Sequence, residues 1–285
     1  MTLPKSFLFN PSNLQDYIDC QRRFQLRHML HQSWPAVEAE PFLEYERMME
    51  HGSRFHKIIH QHLTGISESQ IEQSIDNDEV ISTWWRSYNH SLKDGILEMI
   101  FHAGNMHVEE ITLSIPIDKF RLVAKYDLLV FQPNGKLLIF DWKTSTNHPK
   151  RKWLSDRMQT HIYPYVLTHA AGSITSHGSV DPGQIEMIYW YANYPEQPER
   201  FSYDCSAHDA DAKYIEQLIS TINQKTEPIF SLTPEVKRCL FCTYRSLCDR
   251  GVKPGELHQL ESWQESGPSS EDVSFEYEQI GEIEF

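Results

Sequence analysis

The sequence predicts an α/β protein, from three observations. RLVAKYDLLVFQPNGKLLIFDWK (121–143) holds two short apolar runs flanking Pro133-Asn134-Gly135, a strong β-hairpin signal. QIEMIYWYA (184–192) reads as a further buried strand, and Phe201–Tyr203 begins another. Runs with helical spacing of apolar residues stand before and after the hairpin.

In chain order, 1–11 reads as extended, because Pro4 and Pro11 limit helix. Ser12 and Gln15 form a capping-box pattern, predicting one helix to about residue 31 with Cys20 inside it. A second helix covers 42–63, interrupted at Gly52, with His56 and His60 four apart and able to share a face. Residues 67–104 read as helices covering the sheet, with Trp84, Trp85 and Tyr88 as packing residues. Glu109 and Glu110 open a strand to Ile117; a solvated strand start is the plainer reading of the pair, and support of a metal at the sheet edge by one of them is the alternative. After the hairpin come a loop at Thr144–His148, a helix over 151–170 carrying Gln159 and Tyr163 four apart, a loop at Gly172–Gly183 and a helix over 208–225. Cys205 has no partner in spacing and reads as structural, and the tail from about 256 is acidic and reads as flexible.

Composition narrows the function. With 285 residues, 40% hydrophobic and 12% aromatic, the chain can bury a substantial core. It has no membrane-length apolar run and no signal-peptide pattern, so a cytoplasmic protein is expected. A net charge of −14 argues against binding nucleic acid through the whole surface, but not against a local basic channel. Three basic clusters could line one: Arg22, Arg23 and Arg27; Lys150, Arg151, Lys152 and Arg157; Lys237, Arg238 and Arg245.

The chemistry concentrates in two places. Asp127 lies within the first strand of the hairpin, while Asp141 and Lys143 close the second. Residues i and i+2 of a strand share a face, so Asp141 and Lys143 project together and Trp142 points away. Charges in a buried hairpin are costly unless paired or metal-bound. Two carboxylates with the Trp142 carbonyl offer hard oxygen ligands for Mg²⁺, and Lys143 can orient or help deprotonate an attacking water. The second place is Cys239, Cys242 and Cys248, a C-x2-C-x5-C run. Cys20 is the obvious fourth thiol, and its ligation would clip the N-terminal helix to the end of the domain. Spacing alone leaves [4Fe–4S] and Zn²⁺ both open.

Together these motifs resemble the PD-(D/E)XK nuclease superfamily, in its RecB-like branch with an iron–sulphur cluster, as in CRISPR-associated exonucleases and AddB-type nuclease domains. The resemblance spans roughly residues 8–250 and rests on six segments: LQDYIDCQRRFQLRHML, GSRFH, VAKYDLL, DWK, QTHIYPY and CLFCTYRSLC. It implies a restriction-endonuclease-like mixed sheet flanked by helices, with an N- and C-terminal cluster clamp. The expected domain covers 1–250, with a helical cover at 40–105, a catalytic core at 106–205, the clamp at 20 and 239–248, and 251–285 as tail. It places His56, Asp127, Asp141 and Trp142 at a Mg²⁺ or Mn²⁺ ion. Asp127, Asp141, Lys143, Gln159 and Tyr163 take the catalytic roles, and Cys20, Cys239, Cys242 and Cys248 hold a [4Fe–4S] cluster.

The implied activity is a DNA exonuclease acting on single-stranded ends, with a helicase or CRISPR-associated protein as partner. Any unwinding motor is another chain, because no G-x-x-x-x-G-K-[ST] pattern is present. Two positions depart from the family pattern: Ala124 stands where glycine is frequent, and His60 where an acid is frequent. The alternatives are a non-catalytic nucleic-acid-binding or assembly module on the same scaffold, and a purely structural iron–sulphur protein.

Overall fold

The computed structural model describes all residues except 1–2, 33–39, 175–179, 241 and 252–285, together with the backbone but not the side chains of 40–46 and 173. The tail lies outside the described residues. No helix among the described residues is long and apolar enough to cross a membrane.

The chain opens with β1 (Leu8–Phe9), α1 (Pro11–Asp19) and α2 (Gln21–Phe24), followed by a π-turn at Gln25–Met29. The helix begins at Asn10, not Ser12. Asn10 and Asn13 cap each other reciprocally, and Pro11 takes the first helical position, where no N–H is needed. The expected single helix to residue 31 is broken at Cys20, whose backbone is extended (φ −162°, ψ 107°). The break serves tertiary contacts. The Arg22 N–H donates to the Ser231 carbonyl, and the Gln25 side chain bonds both the Pro228 carbonyl and the Phe230 N–H.

Helices α3 (Glu40–Leu63), α4 (Glu68–Ile75) and α5 (Glu79–Asp94) form one cover layer. Gly52 does not interrupt α3, which runs through it. The sheet follows with β2 (Met106–Ile117), β3 (Phe120–Phe131) and β4 (Leu137–Lys143). β2 starts three residues earlier than Glu109. The expected helix over 151–170 is divided into α6 (Arg151–Ser155) and α7 (Met158–Ala170). β5 (Ile185–Tyr191), β6 (Glu199–Ser202) and α8 (Cys205–Gln224) complete the fold. Cys205 opens α8 and is exposed.

The sheet is mixed. β3 pairs antiparallel with β2 and β4 and parallel with β1, while β5 pairs parallel with β4 and antiparallel with β6. β2 follows β3 along one side from end to end, so β1 and β4 share the other side. The β3–β4 ladder runs from Phe131↔Leu137 to Leu128↔Phe140 and stops one pair short of Asp127 and Asp141.

Two cores sandwich the sheet. Leu14 and Tyr17 of α1, Ile162 and Val166 of α7 and Ile215 of α8 pack on one face. Phe55 and Ile59 of α3, with Trp85 and Tyr88 of α5, pack on the other. Strand β3 changes step between them. Leu122, Ala124 and Tyr126 face the α7 layer, as do Leu129 and Phe131, whereas Leu128 and Val130 face the α3 layer. A regular strand would keep one parity throughout. The step is lost at Asp127. The residue facing it across β2 is Glu110, which has φ 45° in mid-strand, a left-handed conformation uncommon for a non-glycine residue.

A buried ion network ties the N-terminal helices to the rest. Asp16, fully buried, meets Arg23 (2.7 Å), Arg27 (3.1 Å) and His28 (2.9 Å). Burial opposes its charge, but the Arg23 guanidinium and its neighbours outweigh that and hold the carboxyl well below the usual carboxylate range. Because the folded-state value is depressed, the stabilisation is present in full above the ordinary carboxylate pKa of about 4 and is lost as pH falls through and below it. Asp16→Asn is therefore expected to cost about 3 kcal/mol at pH 7, since it strands a buried guanidinium. It should also flatten the loss of stability below about pH 4. Urea unfolding at pH 7 and at pH 3.5 measures both; equal slopes in the two proteins would contradict it.

Candidate active site

The parting of β3 from β4 creates the site. The Asp127 Oδ2 accepts from the Trp142 N–H at 2.9 Å, so a side chain replaces the ladder bond that the separation removes. Successive residues in a strand present their backbone groups to opposite neighbours. The Lys143 carbonyl accepts from the Ala192 N–H, toward β5, so the Trp142 N–H and carbonyl both face the gap.

Helices from both layers reach this gap. From α3, His56 Nδ1 stands 3.4 Å from Asp127 Oδ1. Burial disfavours charge on both partners, yet their mutual attraction prevails. The imidazole pKa is raised, and the Asp127 carboxyl is held low, with further help from the Trp142 N–H and Lys143. His56 also feels the Asp141 carboxylate and the Lys143 ammonium, which places all four groups in one field. From α7, Gln159 Nε2 donates to Asp141 Oδ1 at 2.5 Å, and Gln159 Oε1 accepts from Lys143 Nζ at 3.0 Å. Lys143 Nζ lies 2.9 Å from Asp141 Oδ2. Asp141 is 1% exposed, so this triangle holds a buried carboxylate rigidly.

Tyr163 takes a different place. It is 1% exposed, its ring lies against Tyr126 with centroids 4.9 Å apart, and its carbonyl accepts from the Tyr126 hydroxyl. Tyr163 stands one turn along α7 from Gln159 and joins the core cluster of that layer. On the opposite flank, a small recess is lined by His56, His60, Glu110, Asp127 and Trp142. As the side chains stand, no three His, Cys, Asp or Glu among the described residues converge at ion-holding distance.

Gln15 is a site residue that the sequence does not announce. Its Oε1 accepts from the N–H of Met158, the first residue of α7, and its Nε2 donates to Asp19 Oδ1. Arg157, the N-cap of α7, makes no side-chain cap, so Gln15 performs that task from another helix. The residue that looked like half of a capping box for α1 instead fixes the turn that presents Gln159.

Of the four cysteines, Cys239 closes a 3₁₀ turn at Val236–Cys239, and Cys242 and Cys248 follow in the turns after it. Every pair among Cys20, Cys239, Cys242 and Cys248 interacts electrostatically. Burial and then this mutual repulsion push the Cys239 thiol up to about 11, and burial raises Cys242 and Cys248. Arginines surround them: Arg23 and Arg27 act on Cys242, and Arg22 and Arg250 on Cys248. The protein itself joins these segments, since Arg238 pairs with Asp19 and the Tyr244 hydroxyl donates to the Gln32 carbonyl.

Two carboxylates, an imidazole and a lysine amino group thus stand together at one gap in the sheet. A sequence profile of the PD-(D/E)XK nuclease superfamily matches residues 8–249, and the chain belongs to that superfamily. Its members typically use divalent metal ions such as Mg²⁺. No curated protein sequence matches the chain. Among solved structures, one from Eubacterium rectale, provisionally described as an exonuclease, aligns with a TM-score of 0.50 and 10% identity over 91% of this chain and 94% of its own. That likeness speaks to fold alone. The structure of SSO0001 aligns over 74% of this chain and 98% of its own at 13% identity, but with a TM-score of only 0.33.

Replacing Gln15 with Leu keeps the volume but leaves the buried Met158 N–H unbonded. The expected cost is about 1–3 kcal/mol. Amide hydrogen exchange at Met158 should accelerate while that of the α8 core is unchanged; unaltered protection at Met158 would refute the cap.

Proposed function

We propose that the protein is a metal-dependent deoxyribonuclease that hydrolyses phosphodiesters from single-stranded DNA ends. It would belong to the RecB-like, iron–sulphur branch of the superfamily, which includes CRISPR-associated exonucleases and AddB-type domains. The observation that carries the reading is the gathering of His56, Asp127, Asp141, Lys143 and Gln159 at the gap between β3 and β4.

The donor set fits a divalent ion, with two carboxylates, an imidazole and a backbone carbonyl turned to one gap. His56, Asp127, Asp141 and the Trp142 carbonyl would hold it. When bound, the ion would supply Lewis-acid polarisation of the phosphate and acidify a water. Lys143 Nζ sits between Gln159 Oε1 and Asp141 Oδ2. It orients the attacking water and offsets charge building on the phosphate. Gln159, bonded to both Asp141 and Lys143, and Tyr163 would position the substrate. The implied partners are DNA and a separate helicase or CRISPR-associated protein.

The four thiols are read as ligands of a [4Fe–4S] cluster. Four thiolates around such a centre carry net negative charge, and the collar of Arg22, Arg23, Arg27 and Arg250 would offset it.

Labelled single- and double-stranded DNA incubated with anaerobically purified protein and Mn²⁺ or Mg²⁺ tests the activity. Single-stranded ends should be degraded, and Lys143→Ala should slow cleavage by at least about a hundredfold. Absence of cleavage with retained DNA affinity would replace this reading with a binding module. Chemical assay of the same preparation should find iron and sulphide in equal amounts; stoichiometric zinc without iron would remove the cluster.

A further inference from the structure

We infer that His60 and Glu110 extend the proposed ion site into a nitrogen-rich set that selects Mn²⁺ over Mg²⁺. The inference rests on the metal-dependent reading above and specifies which ion the site takes.

His60 lies one helical turn beyond His56 on α3, and both imidazoles line the same recess with Asp127 and the backbone of Trp142. The Nδ1 atom of His60 is shielded from solvent and has no hydrogen-bond partner among the described residues. A buried polar atom without a partner is costly, by about 1–3 kcal/mol. Its neighbours at the recess are otherwise engaged: Asp127 with the Trp142 N–H and with His56. An imidazole nitrogen without a partner, at a recess lined by ligand-type residues, is a group that coordination would satisfy.

Glu110 points to the same conclusion from the facing strand. Its left-handed backbone, φ 45° within β2, falls where β3 loses its step at Asp127, and the residue lines the recess. Such a conformation costs about 1–3 kcal/mol and persists where the surroundings demand it. Here it sets an exposed glutamate beside the recess. No three of these donors yet meet at one point, so rotation of the His60 and Glu110 side chains is part of the proposal.

The donor types decide the ion. Two imidazoles at i and i+4 with Asp127 and Glu110 give a mixed nitrogen and oxygen set. Mg²⁺ demands hard oxygen and sheds water reluctantly. Imidazole suits first-row transition ions, while carboxylates suit Mn²⁺ as well as Mg²⁺. Thiolates of the cysteine group favour softer ions than Mn²⁺, so Mn²⁺ reports on this recess.

The test needs no DNA. Full-length protein dialysed free of loosely bound ions is titrated with Mn²⁺, followed by loss of the free-ion electron paramagnetic resonance signal, with Mg²⁺ as competitor. Wild type should bind Mn²⁺ at least about tenfold more tightly than Mg²⁺. His60→Gln should weaken Mn²⁺ about tenfold and leave Mg²⁺ nearly unchanged. His60→Glu should bring the two affinities together. Glu110→Gln should weaken both ions alike. Melting curves without metal identify any variant that does not fold, and the remaining variants then decide. Mn²⁺ affinity within twofold of wild type in a folded His60 variant overturns the inference and leaves the nuclease reading standing. If wild type binds neither ion, the metal-dependent reading itself falls.

Discussion

The site depends on one interruption of the sheet. Strands β3 and β4 stop pairing just before Asp127 and Asp141 meet. Had the ladder continued, α3 and α7 would have remained on opposite faces with the sheet between them. The break lets His56 from one layer reach Asp127 while Gln159 from the other reaches Asp141 beside it. Asp127 stabilises the interruption it occupies, since its carboxylate takes the Trp142 N–H that the ladder leaves without a strand partner. Acidity and architecture are therefore linked at this residue. Its charge is supported by His56, its geometry by Trp142.

A second interaction fixes the other half. Asp16 and Asp19 of α1 are buried with Arg23, and Asp19 also meets Arg238 from the C-terminal segment. Gln15 continues this network to the first N–H of α7, two residues from the turn that ends α6. A mechanical path thus runs from the cysteine-bearing segments through Asp19 and Gln15 to the helix that holds Asp141. Buried ion pairs of this kind add little net stability but lose much when one partner goes. Disturbing Asp19 or Arg238 is therefore expected to disturb the helix that presents Gln159.

Local patterns carried much of this. The hairpin at 121–143 and the strand at 184–192 were plain, because apolar runs bounded by a Pro-Asn-Gly turn admit few other readings. Gln159 and Asp141 were legible as chemistry-bearing residues from their motifs. Other features were hidden. The break at Cys20 answers to a hydrogen bond with Ser231, more than two hundred residues away, and no local propensity encodes it. The true start of α1 at Asn10 was masked by Ser12 and Gln15, a good capping pattern whose glutamine is used elsewhere.

The sequence by itself determined the strands of the hairpin, the superfamily and the set of charged groups, because periodicity and motif order are properties of neighbouring residues. Tertiary structure decided how those groups share a site. It turned β3 by one step at Asp127, drove Glu110 into a left-handed conformation and sent Tyr163 into the core. Each depends on how two packed layers and three strands fit around one gap, and that fit is set by contacts between residues far apart in the chain.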